Sequence, residues 1–349
     1  MRGRWREELP GTPFRWLLTP AWLALRPLVT LRNAAFDHGW RRIERLPVPV
    51  WSVGNLTAGG TGKTPLTRYL ATWAKANKLN PAIVSRGYGG NGKPNDEAKT
   101  VSECPVYCNP NRVVGGQLAI NKGADCLILD DAFQHRRLHR DLDIVMIDAT
   151  RPWGSPDLDA GATLPLGYLR ESRHALNRAH VLAITRSHLI SDADHTKIKQ
   201  QLFMFNKPII HVVDENMDLG TVLGGDAVIP ISTLHNKSVI LVSGIGNPLG
   251  FERAAASYGW RVMESLRFPD HHHYDLSDVT EVQATAQRHQ ATIVMTGKDA
   301  VKWQSLIAPM QAKEIFVLRT TSSIAEADRA IMDNLLSQTL SAHKLTLGA

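Results

Sequence analysis

Cysteine is scarce in this chain: Cys104, Cys108 and Cys126 are the only three in 349 residues. No second pair exists to complete a thiolate zinc site, and an odd number in a long chain is not a disulfide framework, so a reduced, cytosolic setting is expected. Long apolar runs are missing too. Nothing approaches the ~20 consecutive apolar residues that span a bilayer. The start of the chain mixes charges of both signs and has no clean apolar core ahead of a small-residue cleavage site, so a secretory signal peptide is not expected. Repeats and low-complexity segments are also lacking. With 43% hydrophobic and 21% charged residues, the composition is that of a globular protein with room for two domains, which excludes the disordered and fibrous classes.

The net charge of +7 is unevenly spread. Residues 1–45 hold nine arginines (Arg2, Arg4, Arg6, Arg15, Arg26, Arg32, Arg41, Arg42 and Arg45) against Glu7, Glu8, Asp37 and Glu44, so most of the excess lies there. The same arm carries Trp5, Trp16, Trp22 and Trp40, with Phe14, Leu17, Leu18, Leu23, Leu25, Leu28, Val29 and Leu31. Basic and aromatic side chains together suit an anionic membrane surface. Arg15, Pro20, Arg26, Pro27 and Arg32 interrupt the apolar run, so the arm is expected to lie on a bilayer and not to cross it. Packing of these aromatics onto the body of the protein is the competing reading; a nucleic-acid arm is disfavoured.

Residues 48–64, VPVWSVGNLTAGGTGKT, form a short apolar run that breaks into a glycine-rich loop. Val48, Val50 and Val53 suit a buried strand, and Pro65 falls in the first turn of a following helix, where a missing N–H does no harm. Glycines let the backbone curl so that its N–H groups face phosphate oxygens; Lys63 would reach the outer phosphates and Thr64 would offer a hydroxyl to Mg²⁺. The general pattern GxxxxGK[ST] is not met, because Thr57 occupies its first glycine, and the KGGxGKT variant fails at Ala58.

A helix is expected over 66–73 and strands over 82–85, 126–130, 144–147, 181–185 and 209–213. This alternation implies a mostly parallel sheet covered by helices. Residues 214–237, with Gly220, Gly224 and Gly225, read as a linker or hairpin. A second, smaller α/β unit is expected over 238–349, with strands over 239–243, 260–263, 292–296 and 315–318 and a helix over 324–342. The expected division is therefore an arm, 1–45; a phosphate-loop domain, 46–213; a linker, 214–237; and a C-terminal domain, 238–349, that closes on the first to exclude water.

Leu127-Ile128-Leu129-Asp130-Asp131 is an apolar strand running into two carboxylates, where a phosphate-loop protein holds Mg²⁺. Gln134 and His135 lie within a turn of those aspartates, and Arg136, Arg137, His139 and Arg140 then add cations that either neutralise phosphate charge or form a solvated face. Asp96-Glu97 sits in a loop after the second strand, from which a carboxylate could approach a γ-phosphate. Asp270-His271-His272-His273-Tyr274 places imidazoles next to a carboxylate, which suits proton transfer near neutral pH; no further ligands are spaced for a metal. Guanine recognition would leave Asn-Lys-x-Asp after a strand. Asn236-Lys237-Ser238-Val239 lacks the aspartate and Thr296-Gly297-Lys298-Asp299 has its lysine one place late, which argues against a GTPase.

Taken together these motifs resemble the tetraacyldisaccharide 4′-kinase family, the lipid A 4′-kinases of Gram-negative bacteria. The family's VGNxTxGGTGKTP matches residues 53–65, Thr57 included, and its SRGYG matches residues 85–89. Its GDEP is Asn95-Asp96-Glu97-Ala98 here, and its DDGxQH is residues 130–135 with Ala132 for glycine. LPxGxLRE corresponds to 164–171, FPDHH to 268–272, and TEKD to 296–299 with Gly297 for glutamate. The resemblance implies ATP- and Mg²⁺-dependent phosphorylation of the 4′-hydroxyl of tetraacyldisaccharide 1-phosphate to lipid IVA, at the cytoplasmic face of the inner membrane; no nucleic acid is expected and no protein partner is implied. It implies nucleotide binding by Thr57, Ala58, Gly59, Gly60, Thr61, Gly62, Lys63 and Thr64, and metal binding by Thr64, Asp130 and Asp131. Asp96 would be the base with His271 its partner, and Lys63 would act in catalysis. Glu97, Arg112, Gln134, His135, Arg170 and His272 would position phosphates or substrate. The rival is a membrane-associated phosphate-loop switch that does not act on lipid.

Overall fold

The computed structural model describes residues 13–58, 61–87, 104–223, 229–270, 272–307 and 315–347. They group into two compact units, one of Pro10–Val213 with Ser323–Ala349 and one containing Asp214–Ser322.

In the first unit the strands are β1 (Val50–Asn55), β2 (Pro81–Ser85), β3 (Val106–Cys108), β4 (Cys126–Asp130), β5 (Leu142–Asp148), β6 (Val181–Thr185) and the start of β7 (Ile209–Thr221). They lie in the order β3-β2-β4-β1-β5-β6-β7, and every pairing from β3 through to β7 is parallel. A parallel sheet must be covered on both faces, which explains why β1, β2 and β5 are buried along their whole length. Alternate residues sort to the two faces. Trp51, Val53, Ile128, Ile144 and Ala183 share one core with Leu66, Leu70 and Ala74 of α2 (Lys63–Ala76) and with Met332 and Leu336 of α8 (Glu326–Leu347). On the other face, Val50, Val84 and Leu129 meet Ala119 of α3 (Arg112–Asn121). Val145, Ile147 and Ile184 there meet Ile198 and Leu202 of α4 (Asp192–Phe203). Side-chain caps start two of these helices: Asn111 accepts from Val113 N, and Ser191 accepts from Asp194 N.

The arm forms α1 (Thr19–Asp37) after a short 3₁₀ turn, Pro13–Leu18. Its inner face docks on the first unit. Trp22 Nε1 donates to Thr163 Oγ1 at 2.9 Å, Arg32 to the Gln134 carbonyl at 2.7 Å, and Asn33 Nδ2 to Glu171 Oε2 at 2.8 Å. Phe36 is buried beneath the guanidinium of Arg136.

The second unit is an α/β layer in the order β11-β10-β8-β9, built from β8 (Ser238–Ser243), β9 (Arg261–Arg267), β10 (Thr292–Thr296) and β11 (Ile315–Ile324), all parallel. α5 (Pro248–Ser257), α6 (Leu276–His289) and α7 (Gly297–Trp303) cover it. Of the two expectations for 214–237, a linker or a hairpin, the start of the stretch is strand: β7 continues to Thr221, and Leu219 bridges Ile229 in antiparallel fashion. The last helix, read in the sequence as part of 238–349, belongs to the first unit: buried Met332 and Leu336, one turn apart, complete its core.

Candidate active site

The site grows from the end of β1. Gly54 is required there: a Cβ would lie 2.6 Å from Phe133 Cβ and 2.8 Å from Phe133 N. The chain 130–135 can therefore pass directly across the strand end. Asn55, fully buried, opens the phosphate loop: its Nδ2 donates to the Thr57 carbonyl at 3.0 Å and to Thr57 Oγ1 at 3.2 Å, while its own carbonyl accepts from Gln134 Nε2 at 2.9 Å. Threonine at position 57 is thus a structural partner of Asn55. The next turn is clamped by the segment 168–170, since Ala58 N donates to the Tyr168 carbonyl at 2.8 Å and Arg170 N to the Leu56 carbonyl at 2.7 Å. That clamp aims Arg170 across the mouth of the loop.

Gly62 takes a left-handed φ of +77°, the conformation glycine supplies most cheaply, and α2 begins at the next residue. Lys63 Nζ lies 3.5 Å from Asn55 Oδ1 and 3.4 Å from Asp131 Oδ1. Thr61 is buried, and its hydroxyl has no hydrogen-bond partner among the described residues. Gly59, Gly60 and the side chain of Thr64 lie outside the described residues.

β4 delivers Asp130 and Asp131 to the same place. Asp131 adopts φ +49° and receives Arg170 Nη1 at 2.8 Å, which also bonds Gln134 Oε1 at 3.2 Å. Burial would raise the Asp131 carboxyl, but Lys63 and Arg170 outweigh it and hold the group below the usual carboxylate range. Arg112, at the first position of α3, donates to the carbonyls of Asn109 at 3.1 Å and Asp130 at 3.2 Å. His135 is pushed down to about 4 by burial and by Arg112, Arg140, Arg137 and Arg32, so it is neutral at neutral pH. Its buried Nε2 has no partner among the described residues.

The remaining sequence candidates divide. Asp96, Glu97 and His271 lie outside the described residues. His272 belongs to the second unit, where Nε2 meets Asp278 Oδ2 at 2.8 Å and the ring stacks on Phe268 at 4.9 Å. In the same unit, Asp299 of the Thr296–Asp299 motif is fully buried. It accepts from Gly244 N at 3.0 Å, Thr296 Oγ1 at 2.7 Å and Tyr274 Oη at 3.0 Å, bonds that give it a structural task. Burial first, then Asp299, raises the Tyr274 hydroxyl far above its ordinary range, so it stays a donor. Asn55, the last residue of β1, was not singled out by sequence reasoning.

A polyphosphate and a divalent cation fit these residues. Orphaned Thr61 Oγ1 and His135 Nε2, the ammonium of Lys63 and the guanidinium of Arg170 offer donors, while Asp130 and Asp131 offer hard oxygen ligands of the kind Mg²⁺ takes. The model of the tetraacyldisaccharide-1-P 4′-kinase family matches residues 14–340, nearly the whole chain. The chain belongs to this family. Among curated members, the tetraacyldisaccharide 4′-kinase of Syntrophus aciditrophicus is 37% identical over 345 residues, covering 89% of this chain and 90% of its own length. The kinase of Bdellovibrio bacteriovorus is 34% identical over 334 residues, covering 87% and 95%. The crystal structure of the family's LpxK from Aquifex aeolicus, solved in complex with ATP, is similar at a TM-score of 0.66 and 29% identity, over 93% of this chain and 99% of that one.

Proposed function

We infer that this protein transfers the γ-phosphoryl group of ATP to the 4′-hydroxyl of tetraacyldisaccharide 1-phosphate, forming lipid IVA. The observation that carries the reading is the convergence of Lys63 and Arg170 on Asp131, at 3.4 and 2.8 Å, beside the glycine-rich loop of a chain that the family's model matches over residues 14–340. Phosphoryl transfer needs mainly positioning and charge stabilisation. The N–H groups of residues 59–63 and the Lys63 ammonium hold the β- and γ-phosphates. Arg170, aimed by the clamp on Leu56, adds a second fixed cation, and Gln134 keeps its guanidinium in place. Thr64, Asp130 and Asp131 would hold Mg²⁺, which would neutralise phosphate charge. His135 serves as an uncharged hydrogen-bonding group, and Arg112 braces the backbone of Asp130. The base, Asp96, and its partner, His271, are assigned from the family motifs alone, as are supporting roles for Glu97 and His272.

The acceptor is a lipid, and α1 supports a membrane-surface location. Pro20, Leu23, Ala24, Pro27, Leu28 and Leu31 recur at helical spacing and are all exposed, opposite the docked face of Trp22, Arg32, Asn33 and Phe36. Leu23, Leu28 and Leu31 are each 60% or more exposed, an unusual cost for a helix surrounded by water alone. Arg26, on the same helix, and Arg41, Arg42 and Arg45, just after it, are exposed and suit anionic headgroups at the cytoplasmic side of the inner membrane. Among the described residues no helix is long and apolar enough to cross a membrane. The test is transfer of labelled γ-phosphate from ATP to the lipid disaccharide in mixed micelles. Labelled lipid product is expected; ATP hydrolysis without labelled lipid would indicate a nucleotide switch and overturn the reading.

A further inference from the structure

Two consecutive residues at the end of β6 reach the phosphate loop from a strand that lies beyond β5 in the sheet. Thr185 is buried, and its Oγ1 donates to the Thr61 carbonyl at 3.4 Å. Arg186 follows in a left-handed conformation, φ +57°, ahead of a single 3₁₀ turn, Ser187–Leu189. Its side chain reaches the phosphate loop, where a Cβ on Gly62 would lie 3.9 Å from Nη2. The other arm of the guanidinium is anchored: Nη1 donates to Asp148 Oδ2 at the end of β5. Asp148 is buried, and its Oδ1 accepts from Thr150 N at 3.0 Å and Thr150 Oγ1 at 2.7 Å.

The ion pair with buried Asp148 accounts for one arm of the guanidinium and leaves the placement of the other unexplained. A left-handed arginine costs on the order of 1 kcal/mol or more, and only where the surroundings over-determine it does such a residue persist. Here the carboxylate fixes one half of a rigid fork and leaves Nη2 facing the first turn of α2 with no acceptor among the described residues. We propose that Arg186 is a nucleotide-binding residue that donates from Nη2 to an oxygen of ATP seated over Gly62, and that Asp148 is its positioning residue. The proposal rests on the kinase reading above and deepens its nucleotide half; the lipid acceptor is not involved.

The test uses the full-length protein with R186A, R186Q and D148N, measuring ATP affinity by calorimetry, the KM for ATP and for the lipid disaccharide separately, and Tm. R186Q retains a donor toward Asp148, so the buried carboxylate keeps a partner if R186A folds poorly. Loss of one charge-assisted hydrogen bond corresponds to roughly a 10- to 100-fold change. R186A and R186Q should weaken ATP binding and raise its KM by about that factor, with D148N in the same direction but smaller and the lipid KM unchanged. Wild-type affinity for ATP in R186Q overturns the proposal alone. A rise in both KM values in parallel with a fall in Tm would make Arg186 structural and also overturn it. Wild-type protein that binds no ATP would overturn the kinase reading and this proposal together.

Discussion

Replacing Gly54 with alanine tests how the strand end and the metal-side carboxylates are coupled. The added Cβ would sit 2.6 Å from Phe133 Cβ, 2.8 Å from Phe133 N and 3.2 Å from Phe133 Cα. Unstrained carbon contacts are about 3.5–4.0 Å, so the chain at 133 must retreat by about 1 Å. A smaller side chain at 133 gives no relief, because the backbone N is among the clashing atoms. Phe133 cannot yield freely, since it is fully buried in a core with Trp153, Leu169 and Leu176. The displacement therefore passes along the chain to Asp131 and Gln134, whose bonds to Arg170 and Asn55 set the site. Overpacking of this kind costs about 1–3 kcal/mol. At about 2–4 °C per kcal/mol, the Tm of G54A should fall by several degrees. A catalytic group misplaced by about 1 Å can lose on the order of 100-fold in rate, so kcat should fall further than stability alone explains. Scanning calorimetry and turnover at saturating ATP measure both. A G54A protein with wild-type Tm and kcat would refute the coupling.

D131N should lose most phosphoryl transfer and also stability, about 1–3 kcal/mol at neutral pH, because Lys63 and Arg170 lose their shared counter-charge. The folded pKa of Asp131 is lowered, so this stability is fully present above the ordinary aspartate range and disappears as pH falls through the folded value; urea titrations near neutrality and near pH ~3 should show the wild-type advantage closing, and an advantage that grows in acid would contradict the assignment. The double variant L28E/L31E changes only exposed positions, so it should keep its Tm while losing sedimentation with anionic vesicles; unchanged sedimentation would remove α1 from the membrane account. In the second unit, Y274F deletes a donor to fully buried Asp299 and should lower the urea midpoint by an amount worth about 1–3 kcal/mol, whereas an unchanged midpoint would show that the hydroxyl is dispensable.

Much of the first unit was legible in the sequence because a parallel strand buried on both faces must be continuously apolar, as 126–129 and 181–184 are. β3 was not, since Val106–Cys108 is three half-buried residues with no pattern to read. The continuation of β7 past Val213 was hidden by Asp214, Glu215, Asn216 and Asp218, which look like loop yet form strand up to Thr221. The return of α8 to the first unit could not be read from periodicity, which gives a helix its apolar face but not its partner. In the site, the paired aspartates and Lys63 stood out because their chemistry follows a strand end or a glycine-rich loop. Asn55 and Arg186 did not, since each is a single polar residue whose role appears only when non-adjacent strand ends are brought together.

The central claim is that the phosphoryl group of ATP is moved onto one particular sugar hydroxyl. The most direct measurement is phosphorus NMR, with proton correlation, of the lipid recovered after incubation of the disaccharide 1-phosphate with ATP, Mg²⁺ and the wild-type protein, and in parallel with K63A. A new monoester resonance correlated to the proton at the 4′ carbon, present with wild type and missing with K63A, is the predicted result. A monoester at another carbon, or a lipid returned unchanged while ATP is consumed, would contradict the account.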